Sequence, residues 1–191
     1  MQGALVLAGA AATGKTTVAK MLGSLVPGAV YVEVEARECW PISDPALREE
    51  CFIESFISTI TPRGLYIHDN ALLSVYGYSR ALEALATGSE AERLRLVARK
   101  ALEAQEELVV KGSRTVLLTA SHHAMTQRIL ARTAAETERT SNSVEHLIPI
   151  HIDAQKHMKE AASKIGIPII DTTELPPQQI AINLLKLWEK R

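Results

Sequence analysis

The segment Gly9-Ala-Ala-Ala-Thr-Gly14-Lys15-Thr16 constrains this chain more than any other. It satisfies G-x-x-x-x-G-K-[ST] in full, and it lies between an apolar run at residues 4–8 and a segment of helical period at 15–24. A strand that turns through such a loop into a helix aims backbone N–H groups and a positive helix end at one point. Glycines let the backbone curl without a Cβ in the way, so Gly9, Ala10, Ala11, Ala12, Thr13 and Gly14 are expected to cradle a polyphosphate. Lys15 reaches the β- and γ-phosphates, Thr16 offers its hydroxyl to Mg²⁺, and Thr17 completes the contact at the helix start.

Further short apolar runs, at 29–34, 65–68, 115–119 and 167–170, alternate with longer segments of helical period. Bounded by Gly, Pro or Asp, they read as the strands of a parallel sheet covered on both faces by crossover helices. Helices are expected at 45–60, at 71–87 with Gly88 as the stop, and from a Ser89/Glu92 capping box to Lys111-Gly112. Others follow at 121–135, at about 153–165 with Gly166 as the stop, and at 177–188. Residues 136–147 are polar and aperiodic, as a mobile surface element would be.

A chain of 191 residues that is 47% hydrophobic can bury one full core, so a single domain over 1–191 is expected. The net charge of −1 offers no broad positive field to nucleic acid or an anionic membrane. No run approaches the roughly 20 apolar residues of a membrane span. Cys39 and Cys51 lack C-x-x-C spacing, and both are expected as reduced thiols in a cytoplasmic protein. His122 and His123 point apart on a helix start and suggest no metal pair.

Two strand ends carry acids. Leu65-Tyr-Ile-His-Asp69 ends in a carboxylate placed to complete the Mg²⁺ shell. The second strand runs into Val32-Glu-Val-Glu35-Ala-Arg-Glu-Cys-Trp40, and the carboxyl end of a parallel strand faces the crevice where ligands bind. Glu35 is thereby placed to meet a second substrate.

With these residues in view, the chain resembles the deoxynucleoside kinases of the P-loop kinase superfamily, relatives of the thymidylate kinases. Glu35 and Trp40 are similar to the family's Glu-Pro-Val and Trp, with Ala36 in place of the proline. Asp69-Asn70-Ala71 resembles its Glu/Asp-Arg-Ser motif, Arg128-Ile-Leu-Ala-Arg132 its arginine-bearing lid, and Ile167-Pro-Ile-Ile-Asp171 its last strand. The resemblance spans nearly the whole chain. It implies a three-layer α/β/α P-loop NTPase fold, with a five-stranded parallel sheet in the order 2-3-1-4-5 and a short helical lid at about 128–147.

It also implies ATP and Mg²⁺ as cofactors, and phosphoryl transfer to the 5′-hydroxyl of a (deoxy)nucleoside. Glu35 would be the general base, and Arg128 and Arg132, four apart on one helix face, would close over the transferring phosphates. Trp40 would pack beside the acceptor, Tyr78 would stack on its base, and Glu54 would hydrogen-bond to it. Asn70 stands where the family carries an arginine, so Arg80, or else Arg63, is expected to supply that charge.

A second reading is a nucleoside monophosphate kinase of the thymidylate type, with Arg37, Arg63 and Arg80 as the extra cations. Thymidylate kinases usually carry an arginine before the strand-two Glu, and Val34 there favours the nucleoside. A third is a regulatory ATP-binding module with little catalysis, motivated by Asn70. A homodimer through the helices at 71–110 is suggested by the resemblance.

Overall fold

The computed structural model describes residues 3–32, 37–39, 41–59, 65–136 and 147–189. Five described strands, β1 (Gly3–Ala8), β2 (Val30–Val32), β3 (Leu65–His68), β4 (Arg114–Thr119) and β5 (Ile169–Asp171), form one parallel sheet in the order β2-β3-β1-β4-β5. In register, Leu5 of the central strand lies beside Ile67 on one side and Arg114 on the other. The order reverses at β1, which opens a crevice at the carboxyl ends of β1 and β3.

Successive residues of a strand face opposite ways, and β1 obeys this closely. Leu5 and Leu7 pack with Val18 and Leu22 of α1 (Lys15–Leu25) and with Ile180, Leu184 and Trp188 of α7 (Pro177–Glu189). Ala4, Val6 and Ala8 face the other layer, built from α2 (Pro45–Thr59), α3 (Leu72–Glu83), α5 (His122–Glu136) and α6 (Ile148–Ile165). The long helix α4 (Gly88–Val110) lies against α2 and α3 through Leu94, Val97 and Ala101. These are the three layers and the strand order expected.

Two buried amides lock helices to the sheet. Gln105 of α4 accepts from Leu73 N (3.2 Å) and donates to Thr115 Oγ1 (2.9 Å). Gln155 of α6 exchanges two bonds of 2.8 Å with the backbone of Ala120, just past β4. Each satisfies polar groups that would otherwise be buried at a cost.

Several boundaries move for local reasons. β5 starts at Ile169, because Pro168 has no N–H to give, although its carbonyl still accepts from Leu117 N at 2.9 Å. α6 begins five residues before 153, since Pro149 sits in the first turn, where a missing N–H is harmless. α3 ends at Glu83, short of Gly88. Gly88, at φ 59, turns the chain into α4 instead, and no side chain caps that helix, so the Ser89/Glu92 capping box does not form. Gly166, at φ 73, does end α6.

The thiol expectation is corrected. Cys39, at the end of a 3₁₀ turn over Arg37–Cys39, is disulfide-bonded to Cys51 of α2, with Cα atoms 5.7 Å apart. A spacing of 12 residues carries no sign of contact; the chain reversal before α2 creates it. The cytoplasmic expectation rested on reduced thiols and loses that support. No described helix is long and apolar enough to cross a membrane.

Gly77 lets α3 and α6 approach closely. A Cβ there would lie 2.5 Å from Met158 Cγ and 2.7 Å from Ala154 O. Gly77→Ala is expected to lower the unfolding free energy by about 1–3 kcal/mol, overpacking outweighing the gain in helix propensity. Urea denaturation would read this as a lower midpoint, and an unchanged midpoint would mean that Met158 yields freely.

Candidate active site

The loop after β1 leaves no room for a side chain at its first residue. At Gly9, with φ 152, an added Cβ would lie 2.6 Å from both Leu118 O and Thr13 Oγ1. Gly14, at φ 87, turns the chain into α1. Ala12 takes φ 61 despite its Cβ, a local strain of the kind that functional loops hold. Thr13 Oγ1 and Lys15 Nζ both donate to Ala10 O at 2.9 Å.

The loop is also braced from behind. Thr172, past β5, holds its hydroxyl 3.2 Å from Thr13 O and 2.9 Å from Thr119 O. Arg128 of α5 donates to Ala12 O (3.3 Å), Thr172 Oγ1 (3.2 Å), Thr172 O (2.8 Å) and Thr173 O (3.3 Å).

Lys15 is half-buried, and desolvation pulls its pKa down to about 8; Asp69 opposes the fall and Arg132 adds to it. Asp69 sits at the end of β3 with its Oδ2 accepting from Thr16 Oγ1 and from Tyr31 OH, both at 2.9 Å. Hydroxyl and carboxylate oxygens side by side are hard donors of the kind Mg²⁺ takes alongside phosphate oxygens and water. Thr16 and Asp69 therefore fit the ion. Asn70 Oδ1 only accepts from the next backbone amide, Ala71 N, at 2.9 Å.

A cavity of about 660 Å³ starts at the loop, on Gly9, Ala11 and Lys15, and runs between α2, α3 and α6. That volume suits a small-molecule site. α3 grips the loop from the cavity side: Ser74 Oγ lies 3.3 Å from Gly9 N, and Tyr78 OH accepts from Ala11 N at 2.8 Å. The Tyr78 proton is left for His151 Nδ1, 2.9 Å away on α6. Burial, with help from Lys15, lowers the His151 pKa and keeps the ring neutral and able to accept. On the α2 wall of the cavity, Glu49 is 5% exposed. Burial pushes its carboxyl up to about 7, although Arg48 Nε, at 3.6 Å, pulls the other way.

Not every expected residue gathers here. Glu35, Trp40 and Arg63 lie outside the described residues, as do residues 137–146 of the expected lid segment. Lys15, Asp69, Tyr78 and Arg132 line the cavity. Arg128 instead faces the back of the loop, its donors taken up by backbone carbonyls and Thr172. Glu54 is exposed, because the inward face of α2 runs through Glu49, Phe52 and Phe56. Arg80 does not reach the cavity; it pairs with Glu83 at 2.6 Å, and Glu83 also holds Arg95 at 2.7 Å. Arg48, Glu49, Phe52, Ser74 and His151 line the cavity without having been expected. The three- and four-residue steps from Glu49 to Phe52 to Phe56 were a readable signal, whereas His151 was lost with the late helix start.

The sequence matches no family model and no curated protein. The fold is nevertheless shared with solved structures. A thymidylate kinase from Candida albicans superposes with a TM-score of 0.63 at 13% identity, covering 98% of this chain and 91% of that one. Deoxyadenosine kinase from M. mycoides with bound dCTP gives 0.64 at 12% identity, with coverages of 98% and 100%. Shikimate kinase from Acinetobacter baumannii in complex with shikimate gives 0.57 at 16%, with 97% and 92%. The chain thus has the P-loop nucleoside and nucleotide kinase fold.

The raised pKa of Glu49 makes stability depend on pH. Between the unfolded value near 4.5 and the folded value of about 7, the native state keeps a proton that the unfolded chain has lost, so stability falls as pH rises through that window. Gln does not titrate. Glu49→Gln is expected to change stability little at pH 4.5 but to raise it by up to about 3 kcal/mol at pH 8. Denaturation at the two pH values would test this, and a pH-independent difference would contradict it.

Proposed function

We propose that this chain binds ATP with Mg²⁺ in the loop and transfers the γ-phosphoryl group to the 5′-hydroxyl of a (deoxy)nucleoside in the adjoining cavity. The observation that carries this reading is continuity. One cavity is bounded at one end by Gly9, Ala11 and Lys15, and farther along by Phe52, Val75 and Leu82. A hydroxyl presented at the loop end would meet the terminal phosphate, while a planar base would rest on the apolar walls. The deoxyadenosine kinase that shares the fold carries a nucleoside acceptor in its name, which supports the choice.

In this reading the loop amides and Lys15 hold the phosphates, and Thr16 with Asp69 holds Mg²⁺, whose charge would offset that of the phosphate oxygens. The acceptor oxygen forms a bond to the γ-phosphorus, the bond to the β-phosphate oxygen breaks, and ADP leaves. Glu35 takes the hydroxyl proton. Arg132 reaches the developing charge from α5, and Arg128 acts as a positioning residue that holds the loop from behind. Arg132 and Arg48 on the cavity wall also suit an acceptor that already carries a phosphate, which makes a monophosphate kinase the second reading.

ADP formation from ATP-Mg²⁺, measured against a panel of nucleosides and nucleoside monophosphates, tests both readings. Glu35→Gln is expected to lose about 10²- to 10⁴-fold in turnover while ATP still binds, and Lys15→Ala to lose ATP binding. A panel in which no acceptor raises ADP formation above background overturns the proposal.

Lys15 adds a pH signature. Polyphosphate requires the ammonium, so above pH 8 the protein must take up a proton to bind ATP, and affinity is expected to fall by up to about tenfold per pH unit there. Calorimetry in buffers of different ionisation heat would report that uptake; affinity flat from pH 7 to 10 would refute it.

A further inference from the structure

Glu49 has no assignment in the chemistry above, yet it is among the most deeply buried charged groups of the acceptor cavity. Burying a carboxyl is unfavourable unless hydrogen bonds compensate. Arg48 Nε, at 3.6 Å, is beyond hydrogen-bond length, and the Arg48 side chain keeps 25% of its surface exposed. Tyr78, whose ionisation Glu49 opposes, already directs its hydroxyl to Ala11 and His151. Both Arg48 and Glu49 lie on the cavity wall, so donors that satisfy the carboxylate can come from the cavity's occupant.

Their location points to the base rather than the sugar. On α2, Glu49 lies one turn from Ala46 and Phe52, which pack with Val75 of α3 in the cluster against α4. Its charge also acts on the Tyr78 hydroxyl, which bonds to the loop at Ala11. Glu49 thus stands between that hydroxyl and the apolar wall of Phe52 and Val75, on which a planar ring would rest.

Resting on the kinase reading above, we propose that Glu49 and Arg48 read the hydrogen-bonding edge of a guanine base, so that the acceptor is a guanine nucleoside. Bound as the ion, the carboxylate is matched best by two adjacent donors. Thymine and uracil place one N–H between two carbonyl oxygens, one of which would face a carboxylate oxygen. Adenine and cytosine set an amino group beside a bare ring nitrogen, which repels it likewise. Guanine alone among the common bases offers N1–H and the 2-amino group side by side. Its O6, next to N1, is left for a neighbouring cation, and Arg48 is that neighbour.

The test compares kcat/KM for guanosine, deoxyguanosine, inosine, adenosine, cytidine, thymidine and uridine with ATP-Mg²⁺ on the unaltered protein. Inosine differs from guanosine only in lacking the 2-amino group, and is expected to be used at least about tenfold less well. Adenosine and thymidine are expected to fall about a hundredfold below guanosine. Glu49→Gln should shrink the guanosine-to-inosine ratio to below about threefold. If that variant does not fold, the comparison on the unaltered protein still decides.

Equal use of inosine and guanosine, or a preference for thymidine or adenosine, overturns the proposal. So does a preference that follows loss of the 2′- or 3′-hydroxyl rather than of the 2-amino group, because the carboxylate would then be reading the sugar. Calorimetric titration with guanosine and with inosine, without ATP, separates this idea from the kinase reading. Tighter guanosine binding without phosphoryl transfer to any acceptor would keep the guanine reading and remove the kinase one.

Discussion

The structure depends on one constraint: the loop after β1 passes so close to β4 that its first residue has no room for a side chain. Leu118 O and the Thr13 hydroxyl stand where a Cβ on Gly9 would have to go, so β4 and the loop fit only around a glycine. Such a turn does not hold itself. Ala12 is strained, and the ammonium of Lys15 has only a carbonyl to meet within the loop. The surrounding elements supply what the loop lacks. Thr172 and Arg128 secure it from the β5 side, and Ser74 and Tyr78 of α3 from the cavity side.

That arrangement explains why α3 is so rich in small and hydroxylated residues. Its inner face must come close enough for Ser74 and Tyr78 to bond to the loop, and its other sides must admit α4 and α6. Gly77 permits the approach of Met158, and Ser74, Ser79 and Ala81 are all buried. His151 then rides on α6, which Gln155 pins to Ala120, and through Tyr78 it joins α6 to the loop. A chain of packed hydrogen bonds of this kind gives one element a direct mechanical hold on another.

The fold was legible because its signals are periodic and local. A complete phosphate-loop motif after an apolar strand fixes β1 and α1, and alternating strand and helix periods fix the remaining order. The boundaries that moved did so at Pro149, Pro168 and Gly88, where one residue can either end an element or begin the next. The site was less legible because it depends on which helix face turns inward. Glu54 and Arg80 have suitable chemistry on the wrong face, whereas Glu49 and Arg48 sit one and a half turns before Glu54 and face the cavity. The disulfide was illegible for a related reason: two cysteines in unrelated segments meet only because the chain doubles back before α2.

Burial acts on the charges of the site in a consistent direction. It lowers the pKa of Lys15 and His151 and raises that of Glu49, so each group is destabilised as an ion by its own surroundings. Among the described residues these costs are only partly offset: Asp69 opposes the fall at Lys15, and Arg48, 3.6 Å away, opposes the rise at Glu49. Each group therefore gains most from a ligand of complementary charge or donor pattern, Lys15 from a polyphosphate and Glu49 from paired N–H groups. Because a protein group near its pKa changes protonation when such a ligand arrives, the two substrates would each move protons on binding, in opposite directions: uptake at Lys15 and release at Glu49. The same desolvation that makes the site unfavourable to its own charges thus makes it selective, since a ligand that fails to restore the ion leaves the full cost of burial in place.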